Sequence, residues 1–143
     1  HGDFRIDNMI LDKKYKNQVI ALLDWELSTL GPPFIDISYW CVMLRFKKSW
    51  PIKGLGNLKE NKVEDQFPSE KILFEKYSHA LGHDVRKHWH YLLAFNCFRF
   101  ASILQGINKR VLQGNNTGKN AQEVGKLVQP VSRMGEKYLK NYL

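Results

Sequence analysis

Two apolar runs near the start of the chain set the first expectation. Met9-Ile10-Leu11 is followed by a polar stretch, Asp12 to Gln18, and then by Val19-Ile20-Ala21-Leu22-Leu23, which ends at Asp24. Apolar runs on either side of a polar connection predict a β-hairpin. Its second strand returns Asp24 to where the first begins, so Asn8 and Asp24 are expected to be near neighbours. Gly31, Pro32 and Pro33 then interrupt regular structure. Asp36 stands just ahead of the segment ISYWCVMLRF, a predicted helix with Asp36 near its N-terminus. Residues 48–68 carry Pro51, Gly54, Gly56, Asn57, Asn61 and Pro68 and predict a loop. From Ser69, the positions of Ile72, Leu73, Tyr77, Ala80 and Leu81 fit one amphipathic helix that stops at Gly82. Asp84 is placed to cap the next. There Trp89, Leu92, Leu93, Asn96, Phe100, Ile103, Leu104, Ile107 and Val111 recur at helical spacing, a stripe read as core. Residues 119–142 predict a final helix with Val124, Leu127, Val128, Val131, Met134, Tyr138 and Leu139 along one side.

The fold class is therefore α+β, mainly α. A hairpin unit occupies residues 1–30, and a helical subdomain occupies 34–143 with its loop at 48–68. The 143 residues, 43% hydrophobic and 25% charged, suffice for one domain with a core. No apolar run approaches the roughly 20 residues that a membrane-spanning helix needs, so no membrane partner is expected. The net charge of +8 favours anionic partners. Its lysines and arginines are scattered, however, and no RNP motif or zinc knuckle accompanies them, so a nucleic-acid interface is not expected. Cys41 and Cys97, each within an apolar stretch, read as buried thiols of a reducing compartment. That points to the cytoplasm, or to mitochondria or peroxisomes in a eukaryotic source. His79, His83, His88 and His90 crowd one region but have no acidic partners at ligand spacing, and read as surface histidines. The lone Gly54-Leu55-Gly56 is too weak for a phosphate loop, and the Asn115-Asn116-Thr117 sequon is discounted.

The chemistry concentrates in the first residues. Asp3, Asn8 and Asp24 are hard oxygen donors gathered at one hairpin, a set suited to Mg²⁺ carrying phosphates. Any one alone would read as a turn or cap residue. The spacing Asp-x-x-x-x-Asn, followed by an apolar strand into a second Asp, is that of the kinase catalytic loop. There one carboxylate accepts the proton of the attacking hydroxyl, and an amide oxygen with a second carboxylate holds the metal. Gly2 stands where protein kinases have an arginine that pairs with a phosphorylated activation loop. Only eleven residues separate Asp24 from Asp36, too few for a peptide-docking platform. Both features indicate a small-molecule kinase.

The pattern HGDxxxxN…DWE resembles the aminoglycoside phosphotransferase and choline kinase superfamily. "HGDFRIDN", "VIALLDWELSTLGPPFID" and "FRFASILQGINKRVLQGNN" are together similar to the phosphotransferase domain associated with acyl-CoA dehydrogenases. That domain stands alone in many bacteria and is fused to a dehydrogenase in animal members 10 and 11 of the acyl-CoA dehydrogenase family. The resemblance spans nearly the whole chain. It implies a protein-kinase-like C-terminal lobe and ATP-dependent phosphorylation of a small-molecule hydroxyl. The implied acceptor is a 4-hydroxyacyl-CoA, with aminoglycosides or sugar-like alcohols as alternatives. The implied partner is an acyl-CoA dehydrogenase domain in the same chain or pathway.

Carried over residue by residue, the resemblance makes Asp3 the base and Asn8 and Asp24 the Mg²⁺ ligands. It places Arg5 near the transferred phosphoryl, and His1 and Asp36 as supports of the loop backbone. Trp25 is implied to pack, while Glu26 is either a group behind the site or a surface acid. Arg99, Gln105, Gly106 and Arg110 fit the family's helical pattern. They are candidates to face the acceptor or coenzyme A, with structural or solvent-facing roles as the alternative. No part of the chain resembles the N-terminal nucleotide lobe. That lobe is expected to be absent from this chain, and the chain alone is expected to be inactive. The competing expectation is a non-catalytic remnant or scaffold lobe of the same fold.

Overall fold

The computed structural model describes residues 1–15, 17–52, 68–84, 86–115, 118 and 120–143. The hairpin forms as the apolar runs predict. Strand β1, Met9–Leu11, pairs antiparallel with β2, Val19–Leu22, in the register Met9 to Leu22 and Ile10 to Ala21, with a shift before Leu11 meets Val19. Asp12 closes the connection: its Oδ1 accepts the N–H groups of Lys14 and Tyr15, both at 2.7 Å. This is the local bonding that makes Asp a turn residue.

Five α-helices follow among the described residues. Helix α1, Phe34–Met43, begins directly after Pro32 and Pro33, whose carbonyls accept the N–H groups of Ile35 and Asp36. Helix α2, Glu70–Leu81, is capped by Ser69, whose Oγ accepts the Ile72 N–H at 3.4 Å, and it ends at Gly82. Asp84 accepts the Arg86 N–H at 2.9 Å at the head of a 3₁₀ turn, Arg86–His88, that runs into α3, Trp89–Leu112. Helices α4, Ala121–Gly125, and α5, Val128–Lys140, complete the chain. The expected loop at 48–68, its Gly54-Leu55-Gly56 and the Asn116-Thr117 pair of the sequon fall wholly or mostly outside the described residues.

The single final helix expected over 119–142 is instead two. The break falls at Lys126 and Leu127, whose N–H groups bond three residues back to Glu123 and Val124. Pro130 is the cause. It has no N–H to give to the Lys126 carbonyl, and its ring would collide with that group in a continuous helix. In the first turn of α5 the same residue is tolerated.

Helix α3 runs through the middle of the body, with α4 and α5 against one side and α1 against another. The core between them holds Tyr39, Cys41 and Val42 from α1, Leu93, Cys97, Phe100 and Leu104 from α3, and Val131 from α5. Tyr39 and Phe100 stack with ring centroids 4.6 Å apart and planes 6° from parallel. A polar node joins the helices at one end. Glu70 accepts both the Arg45 guanidinium and the Trp89 indole N–H. Arg45 also donates to the Cys41 carbonyl at 2.5 Å and lies over the Tyr138 ring at 5.7 Å. Both cysteines are free thiols with no exposure, as expected of buried core positions. The four histidines of the crowded region are exposed. Among the described residues no helix is long and apolar enough to cross a membrane.

Helices α3 and α5 approach closely at Gly135, where a Cβ would stand 2.9 Å from the Cys97 Cβ. Neither atom can swing aside, so the helices would have to part. Gly135→Ala is expected to destabilise the fold by about 1–2 kcal/mol, the usual cost of overpacking. Gly106→Ala, where the nearest neighbour is the Arg110 guanidinium at 3.6 Å, should stabilise it by up to about 1 kcal/mol through helix propensity. Denaturant titration of the two variants checks the opposite signs. Burial pushes both thiols up to about 12. The reactive thiolate is therefore scarce at neutral pH, and both cysteines should resist alkylation in the native state and react only on unfolding, read by mass spectrometry.

Candidate active site at the catalytic loop

The loop His1–Asn8 is held by partners on three elements. Asp36, in the first turn of α1, accepts the His1 nitrogen on Oδ2 at 2.7 Å and the Gly2 N–H on Oδ1 at 2.9 Å. The His1 ring accepts the Asp3 N–H on Nδ1 at 3.3 Å and meets the Leu23 carbonyl with Nε2 at 2.9 Å. A carbonyl can only accept, so the bonded tautomer carries its proton on Nε2. The ring leans on Trp25, centroid to centroid 4.6 Å, and the Trp25 indole donates to the Leu22 carbonyl at 2.8 Å. One imidazole thus ties the backbone of Asp3 to the strand that delivers Asp24.

Gly2 has φ +81°, and a Cβ on it would stand 2.3 Å from the Leu27 carbonyl oxygen. No other residue fits. The glycine is required by the chain passing in front of it, beyond merely lacking an arginine.

A 3₁₀ turn, Ile6–Asn8, folds Asn8 back toward Asp3. Asn8 is buried, and its Nδ2 donates to the Asp3 carbonyl at 2.9 Å and to Asp3 Oδ2 at 3.1 Å. Both partners are acceptors, which settles the orientation of the amide and leaves Oδ1 turned from Asp3. The main chain of Asn8 also accepts the Leu23 N–H at 2.9 Å. The hairpin therefore sets Asn8 opposite Leu23, one residue from Asp24. Asp24 follows in the left-handed conformation, φ 62° and ψ 54°, alone among the described non-glycine residues at positive φ. Asp tolerates this region better than most residues, and such strain, of order 1–3 kcal/mol, gathers at functional sites. The turn throws Asp24 to the surface beside the 3₁₀ turn Trp25–Leu27.

Arg5 pairs with Asp7 at 2.7 Å and lies 3.4 Å from Asp3 Oδ1. Its Nε is buried and makes no aligned hydrogen bond. Of the helical candidates, Arg99 has its guanidinium engaged by the loop: Nη2 donates to the Gly2 carbonyl at 2.6 Å and Nη1 to Asn96 Oδ1 at 3.0 Å. Gln105 and Arg110 are exposed farther along α3. Sequence reasoning missed Tyr39, Ser38 and Asn96, which back the loop from the core. The available signal was Asn96, a polar residue at a core position of the α3 stripe. Asn96 has no exposure, and its Nδ2 donates to Ser38 Oγ at 2.7 Å and to the Ile35 carbonyl at 3.0 Å.

Among the described residues no three His, Cys, Asp or Glu side chains converge as a metal cage. The donor set Asn8 and Asp24 is of the other kind, two oxygens that suit Mg²⁺ when phosphates and water complete its shell. Cavities of about 460 and 430 Å³ lie around the turn between α2 and α3. The first is lined by Phe74, Ser78, His79 and Arg86 among others, the second by Phe34, Tyr91, Leu92 and Tyr142. Asp3, Asn8 and Asp24 line neither.

The sequence profile of the Phosphotransferase enzyme family (APH) matches residues 1–73, which hold the loop, the hairpin and α1. Acyl-CoA dehydrogenase family member 10 of Mus musculus is 39% identical over 135 residues, covering 94% of this chain and 12% of its own length. Acyl-CoA dehydrogenase family member 11 of Homo sapiens is 35% identical over 136 residues, covering 94% of this chain and 17% of its own. The chain thus spans less than a fifth of the curated relatives it matches. A crystal structure from Ralstonia eutropha, of a protein assigned as an aminoglycoside phosphotransferase, superposes with a TM-score of 0.81 at 36% identity. It covers 99% of this chain and 42% of its own. Profile, relatives and superposed structure agree: the chain belongs to the phosphotransferase enzyme family and has its kinase-like fold.

Proposed function

We propose that this chain carries the catalytic loop of an ATP- and Mg²⁺-dependent kinase that phosphorylates a hydroxyl of a small molecule. One observation carries the reading. The Asn8 amide bonds the carboxylate and carbonyl of Asp3 while its main chain is paired to Leu23, so base and both candidate ligands sit on one hydrogen-bonded unit. Asp3 accepts the proton of the acceptor hydroxyl. Asn8 Oδ1 and the Asp24 carboxylate would hold the metal, and Arg5, which lies beside Asp3, would stabilise charge on the transferred group. Bound Mg²⁺ supplies neutralisation of the nucleotide phosphates. His1 and Asp36 act on the backbone and leave the chemistry to Asp3.

The acceptor we favour is a hydroxyacyl-CoA thioester. The names of the acyl-CoA dehydrogenase relatives support this class, and the +8 charge suits a polyanionic coenzyme. The activity belongs to the natural polypeptide that contains this chain, since the superposed structure is more than twice as long.

In that polypeptide, Asp3→Asn should lower kcat by about 10²–10⁴-fold, the contribution of a positioned base, with the thermal midpoint unchanged. Turnover within tenfold of the parent would end the assignment of Asp3 as base, and a parent without ATP turnover would favour a non-catalytic lobe. Asp24→Asn keeps a residue that tolerates the left-handed backbone. It should raise the Mg²⁺ concentration for half-maximal rate by at least about tenfold, the loss that even an outer partner of a metal ligand causes. The KM of the acceptor should stay constant, and a Mg²⁺ titration of initial rates reads both.

A further inference from the structure

The peptide unit that joins Gly2 to Asp3 is bound at both ends. Its N–H, on Asp3, goes to the His1 ring, and its carbonyl, on Gly2, receives Arg99 Nη2 at 2.6 Å. The preceding peptide gives its N–H to Asp36. Asp3 therefore hangs from a backbone clamped by α1 on one side and by α3 on the other.

The α3 side of this clamp is itself rigid. Arg99 Nη1 donates to Asn96 Oδ1, and Asn96, with no exposure, is bonded to Ser38 and Ile35 of α1. The Arg99 guanidinium lies over the Tyr39 ring at 5.0 Å, and Tyr39 is stacked flat on Phe100. A guanidinium offers two donors in a fixed fork, so it serves Asn96 and Gly2 at once; an ammonium is a single point charge. The Tyr39 ring, held between the core and the guanidinium, is thus the platform on which Arg99 rests.

We infer that Arg99 is a positioning residue for Asp3. Seated on the Tyr39 ring and bonded to Asn96, it forms a brace from the helical core that fixes the base in place through the Gly2 carbonyl. This rests on the kinase reading for its kinetic consequence and on the hydrogen bonds alone for its structural one. It takes Arg99 out of the acceptor site, where the family's helical pattern offered it a place. It also explains why an arginine far along the helical body accompanies a loop at the start of the chain: a displacement of about 1 Å at a reacting group costs on the order of 10²-fold in rate.

The test uses the natural polypeptide that contains this chain. Arg99→Met should lower kcat by about 10²-fold, with the KM values of ATP and acceptor within about threefold of the parent. Arg99→Lys should recover part of that loss, because one donor can still reach Gly2. Hydrogen exchange of a peptide covering residues 1–8 should accelerate in Arg99→Met while α3 stays protected. If Arg99→Met does not fold, Arg99→Lys decides by the same readings. Parental kcat and exchange in folded variants would overturn the brace. So would a raised acceptor KM with unchanged exchange, which would mark Arg99 as an acceptor contact. A parent without ATP turnover would defeat the kinase reading instead, and the exchange data would then decide the brace alone.

Discussion

The structure turns on the Asp36 carboxylate. The hairpin has little core of its own: Ile10, Leu11, Val19 and Ile20 are all 41–61% exposed. A two-stranded hairpin is marginal in water by itself, and its fixed orientation here comes from the helical body. Asp36 supplies the anchor by accepting two nitrogens of the loop at 2.7 and 2.9 Å. Hydrogen bonds to a charged acceptor are worth about 1.5–3 kcal/mol each, and these are partly shielded from water. Everything forward of them, from the His1 bridge to Leu23 and the Asn8 bonds to Asp3, inherits its position from this contact. The helix that carries Asp36 is in turn fixed by the stacking of Tyr39 on Phe100 and by the Asn96 bonds to its first turn.

Much of this was legible in the sequence, for physical reasons that differ by element. The hairpin could be read because two apolar runs flank a polar turn, and α2 because Ser69 and Gly82 mark its ends with capping chemistry. The triplet Asp3, Asn8 and Asp24 stood out because its spacing repeats a known division of labour between a base and metal ligands. The break in the final helix was also written in the chain, at Pro130. The apolar stripe that continues past it, through Val131 and Met134, masks the effect, because periodicity reports which face is buried and is blind to a missing N–H.

The part that stayed hidden is the part made by long-range contacts. Nothing local to Arg99 says that its partner is the carbonyl of Gly2, 97 residues away in sequence. A helix pattern gives a residue its face; only tertiary structure gives it a neighbour. Asn96 is the instructive case. Its place in an apolar stripe required a buried amide to find partners, which identified a polar contact without saying with whom. Tyr39 gave still less warning, since an aromatic residue in an apolar helix reads as core, and Tyr39 is core and also the surface on which the Arg99 guanidinium lies.

Gly2 carries a consequence for how such a loop can be ordered. Protein kinases keep an arginine at this position, through which a phosphate added to the activation segment can order the catalytic loop. Here the Leu27 carbonyl occupies the space that the first carbon of any side chain would need. Regaining that arginine would require rerouting the whole segment after Asp24, a change no single codon can make. The loop is closed to that form of ordering, and its shape is set instead by its contacts with Asp36, the His1 ring and Arg99.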